Sequence, residues 1–173
     1  MKLIAITPRF PYPLEKGDKL RAFHQLRALS EDHEVILVAL SDASVPAADL
    51  AHLEEFCVRV HVITRSRATT LVGLVRAAIT GEPLQVGYFR STAAERQVRR
   101  IVADERPDHV YCQLIRTAPY GRDLPVGSTI DYQDAFSAAA RRHAETASLW
   151  LRPVLRLEAR RVARYEQRAR DWF

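Results

Sequence analysis

Short, unbroken aliphatic runs set a helix-length apart are the strongest constraint on how this chain can fold. Leu3-Ile4-Ala5-Ile6 and Val35-Ile36-Leu37-Val38-Ala39-Leu40 show no alternation of apolar and polar residues. Each therefore reads as a strand covered on both faces. Between them lies a loop dense in turn formers (Pro8, Pro11, Pro13, Gly17), then Asp18 as a helix cap before Leu20, Phe23, Leu26 and Leu29 at three-residue spacing. Strand, helix and strand within forty residues make a βαβ unit, whose parallel strands need such a crossover, right-handed in nearly all cases.

The alternation continues along the chain. Ala47 to Phe56 reads as a helix, Val58 to Ile63 as a strand, and Ala68 to Thr80 as a helix ended by Gly81-Glu82-Pro83. Ala93 to Glu105 is a further helix, stopped by Arg106-Pro107-Asp108, with strands at His109 to Leu114 and Gly127 to Tyr132. From Ala135 the chain turns helical with an interruption near Pro153, and Leu149 to Phe173 reads as one long helix. The pattern predicts an α/β fold: a Rossmann-like, doubly wound, mainly parallel sheet with helices on both faces and a long C-terminal helix. With 173 residues and no repeat or linker, residues 1–173 are expected to form one domain.

Hydrophobic residues make up 47% of the chain and charged residues 27%, which excludes a disordered, collagen-like or disulfide-framework protein. The net charge is +5, and among the basic residues only Lys2, Lys16 and Lys19 are lysine. Such a total permits nucleic-acid binding without locating it; the basic residues are not interleaved with aromatics, so no nucleic-acid partner is expected. Cys57 and Cys112 stand far apart inside apolar runs and read as reduced core residues of a cytoplasmic protein. No clustered ligand spacing calls for a metal.

Several catalytic and nucleotide motifs are missing. No Gly-x-Gly-x-x-Gly follows the first strand, Gly17 is followed by Asp18 rather than by a Walker lysine, and no Gly-x-Ser-x-Gly elbow occurs. What stands out is the segment Thr7 to Arg21, TPRFPYPLEKGDKLR. It leaves the carboxyl end of the first strand, where doubly wound sheets bind ligands, and is longer than an ordinary strand-to-helix connection. Gly17 at the helix opening lets a ligand approach the backbone, and a helix N-terminus favours an anion. Arg9, Lys16, Lys19 and Arg21 add positive charge. The competing reading is a plain proline-stiffened connection with solvated basic residues.

The opening strand, the PxPxxKGDKLR loop, the Leu-x-x-Leu helix and the His33-Glu34-Val35-x-Leu37-Val38 strand together resemble the start of a retaining glycosyltransferase of the two-domain GT-B type (family 4-like). Lys16-Gly17 replaces the family's glycine pair, and Asp32 precedes His33 where the family has Gly-His. The wording PYPLEKGDKLRAFHQLRALS, with FRS at 89–91 and RTAPY at 116–120, is similar to bacterial sugar transferases associated with exopolysaccharide and PEP-CTERM protein-sorting systems. The resemblance spans the chain as an N-terminal half. It implies an acceptor-binding domain whose parent enzyme moves a sugar, with retention, from a nucleotide-sugar donor to a glycan or lipid-linked acceptor. The donor would be held mainly by a second domain outside this chain, which alone would be inactive. No cofactor is implied.

By the same resemblance Lys16, Gly17 and Asp18 would line the cleft near the donor phosphate. A His-Asp pair is common after the fifth strand in that family. Here the segment is Asp131-Tyr132-Gln133-Asp134, with Gln133 in the histidine position, so no catalytic residue is assigned. Asp131 and Asp134 could bond sugar hydroxyls or cap the following helix. Arg116, after the fourth strand, could meet an anionic acceptor or pair with a surface carboxylate. Arg65-Ser66-Arg67, followed by Leu71, Val72, Leu74, Val75 and Ile79 with Arg76 among them, fits a core-packing helix or one lying on anionic lipid at the inner face of a membrane. Trp172 and Phe173 at the end of the last helix suggest a homodimer contact. A non-enzymatic α/β binding or assembly module is the alternative function.

Overall fold

In a computed structural model of the chain, describing residues 1–132 and 136–173, the five aliphatic runs form one parallel sheet in the order β3-β2-β1-β4-β5. The strands are β1 (Lys2–Thr7), β2 (Glu34–Ser41), β3 (Arg59–Thr64), β4 (His109–Gln113) and β5 (Ser128–Asp131). Ile4 lies beside Ile36 on one side and Val110 on the other, and Ile6 beside Val38 and Cys112. Residues 3–7 of β1 and 35–40 of β2 are all buried, which is why neither strand alternates in sequence.

Helices cover both faces. Helices α1 (Gly17–Ser30) and α2 (Ala47–Glu54) pack Leu26 and Leu53 against Leu3, Ala5, Val35, Leu37 and Ala39. On the opposite face α4 (Leu84–Phe89), α5 (Thr92–Glu105) and α6 (Ala118–Gly121) bring Phe89, Val98, Ile101 and Tyr120 onto Ile4, Ile6, Val38 and Cys112. The fold is Rossmann-like α/β. Cys57 and Cys112 are free and buried, and desolvation pushes each thiol up to about 12.

Helix α3 (Arg67–Thr80) is capped by the Ser66 hydroxyl, which accepts from Thr69 N, and ends on Gly81 in the left-handed region at φ 73°. It crosses α4 at backbone contact: a Cβ on Gly73 would sit 2.2 Å from the Gly87 carbonyl oxygen. Two short helices, α4 and α6, were not legible in the sequence. They are fastened through Tyr120, whose hydroxyl donates to the Phe89 carbonyl and accepts from Ser91 N at 3.1 Å.

Two expectations need correction. Asp18 does not cap α1: Lys16 holds that position without a side-chain bond, and Asp18 sits in the first turn. The expected long C-terminal helix is present within residues 149–173, spanning Arg152–Ala169. Helix α7 (Phe136–Thr146) turns back through residues 147–151 into α8 (Arg152–Ala169), followed by a 3-10 turn at Arg170–Trp172. Pro153 lies in the first turn of α8, where its missing N–H is no loss, and the expected break near it falls at residues 147–151. Finally, Trp172 and Phe173 point inward: Trp172 meets Tyr165 edge-on at 5.3 Å, and Phe173 fills the space beside Gly121. Both are half-buried rather than exposed.

At the amino edge of the sheet, Glu105 is 7% exposed. Its Oε1 accepts from Arg59 Nη1 at 2.6 Å, with His61 Nε2 at 3.4 Å, and its Oε2 from Lys2 Nζ at 3.5 Å. Burial raises this carboxyl's affinity for a proton, but Arg59, His61 and Lys2 outweigh it and hold the pKa below the ordinary value. A depressed folded-state pKa stabilises the protein above the unfolded value of about 4.3 and loses that contribution as pH falls through the lower folded value. Urea unfolding should therefore show an acid limb below pH ~4.3. Glu105→Gln should flatten that limb and cost about 1–2 kcal/mol at neutral pH, because it weakens the charge-assisted hydrogen bonds from Arg59 and Lys2.

Candidate functional site

The strand order reverses at β1, which pairs with β2 on one side and β4 on the other. The connections leaving the carboxyl ends of β1 and β4 diverge there and leave a crevice. Residues 8–16 form its first wall. Phe10 is anchored in the core, the Tyr12–Pro13 peptide bond is cis, and Lys19 Nζ donates to the Tyr12 carbonyl at 3.1 Å. The loop is thus pinned at both ends and delivers Gly17 to the mouth of α1. Gly17 is exposed, has no positive φ, and a Cβ there would meet no atom within 4 Å. Nothing in the packing of the described residues demands glycine at 17; its effect is to keep the space above the helix N-terminus open.

The second wall follows β4. Leu114 adopts φ 65°, a conformation costly for a branched residue and concentrated at functional sites. This kink turns the next residues back over the crevice and brings in Arg116. The Arg116 guanidinium lies between the rings of Phe89 (5.2 Å) and Phe136 (5.1 Å). Its Nε is buried without a hydrogen-bond partner among the described residues, and Asp18 Oδ2 stands 3.9 Å away. That same oxygen accepts a 2.6 Å bond from Arg9 Nη1. One carboxylate thus serves two guanidiniums. Desolvation and, after it, the Arg9 charge hold the Arg116 pKa below its ordinary value, the signature of a cation short of negative partners. Arg9, Gly17, Asp18, Arg21, Leu114 and Arg116 line a cleft of about 460 Å³.

A polar cluster adjoins it. Asp131 Oδ2 accepts from Arg21 Nη2 (3.2 Å), Gln25 Nε2 (3.0 Å) and the Tyr111 hydroxyl (2.8 Å), which ties the end of β5 to α1. Burial, then Asp131, pushes the Tyr111 hydroxyl pKa upward, so Tyr111 stays a proton donor. Gln113 Nε2 donates to the Asp18 carbonyl at 3.1 Å and fixes α1 against β4.

Of the residues singled out in the sequence, Arg9, Gly17, Asp18, Arg21 and Arg116 converge on one cleft. Lys16 is exposed beside it, and Asp131 joins through Arg21. Gln133 and Asp134 lie outside the described residues. The Arg116 side chain is mostly buried, and its carboxylate neighbour among the described residues, Asp18, is shared with Arg9. Sequence reasoning missed Phe89, which carries Arg9, Arg65 and Arg116 around its ring at 5.5, 4.9 and 5.2 Å. It also missed Phe136, Gln113 and the Leu114 kink. No local signal marks an aromatic as a platform for arginines brought from three separate loops.

Chemically, guanidiniums that outnumber their carboxylates among the described residues, beside an uncapped helix N-terminus, can take an anion such as a phosphate or carboxylate. Arg116→Met should leave the thermal midpoint unchanged or raise it in anion-free buffer, since it removes a buried, under-paired charge. Wild-type protein should be stabilised by inorganic phosphate, by ~2.7 kcal/mol at a hundredfold excess over Kd, and Arg116→Met should not. Equal stabilisation of both by phosphate would place the anion elsewhere.

Among the described residues, no group of three His, Cys, Asp or Glu side chains could hold a metal ion, and no helix is long and apolar enough to cross a membrane. No protein-family model, curated protein or solved structure matches the chain.

Proposed function

We propose that this chain is the acceptor-side domain of a two-domain retaining glycosyltransferase that uses a nucleotide-activated sugar. The observation that carries this reading is the exposed, side-chain-free Gly17 at the mouth of α1, facing a cleft lined by Arg9 and Arg116. An open helix N-terminus flanked by cations suits a phosphate that gathers charge as a sugar leaves it. The hydrogen-bonded polar groups next to it, Asp131, Gln25 and Tyr111, suit the hydroxyls of a glycan or of a lipid-linked sugar. Arg116, stacked between two aromatic rings, would orient an anionic group on the acceptor. The nucleotide itself would be held by a second domain across the crevice, so this chain alone would not turn over.

The resemblance of the KGDKLR loop to the family's glycine-bearing loop supports the same assignment. A non-catalytic binding module would also use an anion cleft, but it would give Gly17 no role that a small side chain could not fill.

The discriminating experiment uses the enzyme complete with its donor-binding domain. Gly17→Val should lower the transfer rate ~100-fold by displacing the reacting group. Because a Cβ at 17 clashes with none of the described residues, the unfolding midpoint should move little. Undiminished transfer by Gly17→Val would remove the loop from the site. Micromolar binding of a nucleotide-sugar to this chain alone would place the donor site here and overturn the acceptor-side assignment.

A further inference from the structure

Helix α3 is built inside out. Its buried residues are Gly73 and Ala77, and they pack so closely on α4 that a Cβ at 73 would strike the Gly87 and Arg90 carbonyl oxygens. Its large aliphatic residues face the other way: Leu71 is 63%, Val72 68%, Val75 51% and Ile79 81% exposed. Leu71, Val75 and Ile79 recur at four-residue spacing and Val72 lies beside them, so they form one continuous stripe. A helix that turns its small residues to the protein and its aliphatic residues outward expects a second apolar phase.

The charges on the helix itself are of one sign. Within residues 66–80 the only charged side chains are Arg67 and Arg76; just past the helix end Glu82 meets Arg76 at 3.3 Å and Arg90 at 2.9 Å, so its charge is already shared. The first half of α8 lies alongside, since Arg161 Nη2 donates to the Ala78 carbonyl at 3.4 Å and Glu158 accepts from Leu84 N at 2.6 Å. There Leu149, Trp150, Val154 and Leu157 are more than half exposed. Between 149 and 164 the charged residues are five arginines and Glu158, whose Oε1 is already engaged by Leu84 N.

We infer that the outer face of α3, extended by the start of α8, docks on a phospholipid bilayer rich in anionic headgroups. Aliphatic side chains would enter the acyl boundary while arginine stems lie along it and hold their guanidiniums at phosphate level, with Trp150 suited to the interface. A second copy of the chain is the poorer occupant. A two-fold contact sets a patch against itself, and this one would set the arginines of α3 and α8 against one another, while the neighbouring carboxylates are engaged within the chain, Glu82 by Arg76 and Arg90 and Glu158 by Leu84 N. The inference rests on this surface alone and is independent of the glycosyltransferase reading.

Co-sedimentation of the purified chain with vesicles tests it. Binding to vesicles of equal parts phosphatidylcholine and phosphatidylglycerol should be at least about tenfold tighter than to phosphatidylcholine alone and should weaken steeply with salt. Leu71→Ser/Ile79→Ser alters only exposed positions, so its unfolding midpoint should match wild type while vesicle binding falls about tenfold or more. Val75→Glu, a single change on the same stripe, should do the same and stands in should the double variant unfold. Three results would overturn the proposal: no binding to the mixed vesicles, equal binding to both vesicle types, or vesicle binding unaffected by the folded variants. A lipid-free dimer that Leu71→Ser/Ile79→Ser splits into monomers would assign the face to a second copy instead.

Discussion

The burial of β1 on both faces and both edges governs the rest of this structure. Its backbone groups, removed from water, must bond to neighbours on either side, and they do so with β2 and β4. A chain that runs outward through β2 and β3 must then return across the sheet to place β4 on the other edge of β1. That return makes the strand order reverse, and the reversal parts the two loops that form the crevice. The candidate site is thus a by-product of satisfying one strand's hydrogen bonds.

Within the crevice one carboxylate decides the electrostatics. Asp18 cannot neutralise both Arg9 and Arg116. Phe89 and Phe136 exclude water from the Arg116 guanidinium while supplying only the weak attraction of their ring faces. Burial strengthens whatever interaction remains. The arrangement holds a cation ready where a ligand's negative charge would complete it. By contrast, Glu105 at the amino edge draws Lys2, Arg59 and His61 onto one buried carboxylate, and its work is to join β1, β3 and α5. The same residue types thus do different work at the two ends of the sheet.

A second division separates the two sides of the molecule. The face covered by α1 and α2 packs large side chains in the ordinary way. On the other, the contact between Gly73 and Gly87 lets α3 lie directly against α4, and that close approach leaves no room for larger residues between them. Leu71, Val72, Val75 and Ile79 are consequently outside. Their exposure follows from how the two helices meet, since nothing in the periodicity of α3 distinguishes a core stripe from a surface stripe.

The sequence by itself determined the parallel α/β architecture, because strands covered on both faces need unbroken aliphatic runs and helix-length crossovers, and both are written in local order. It also identified the 7–21 loop, Arg116 and Asp131 as residues at the carboxyl edge, because strand ends are local features. Tertiary structure alone decided that Arg9 and Arg116 share Asp18, that Phe89 sits among three arginines, and that Trp172 and Phe173 turn inward. It alone decided, too, that residues 136–173 fold into a hairpin, with Pro153 opening α8. Each of these depends on contacts between segments far apart in the chain, and neither residue type nor spacing encodes the distance that closes between them.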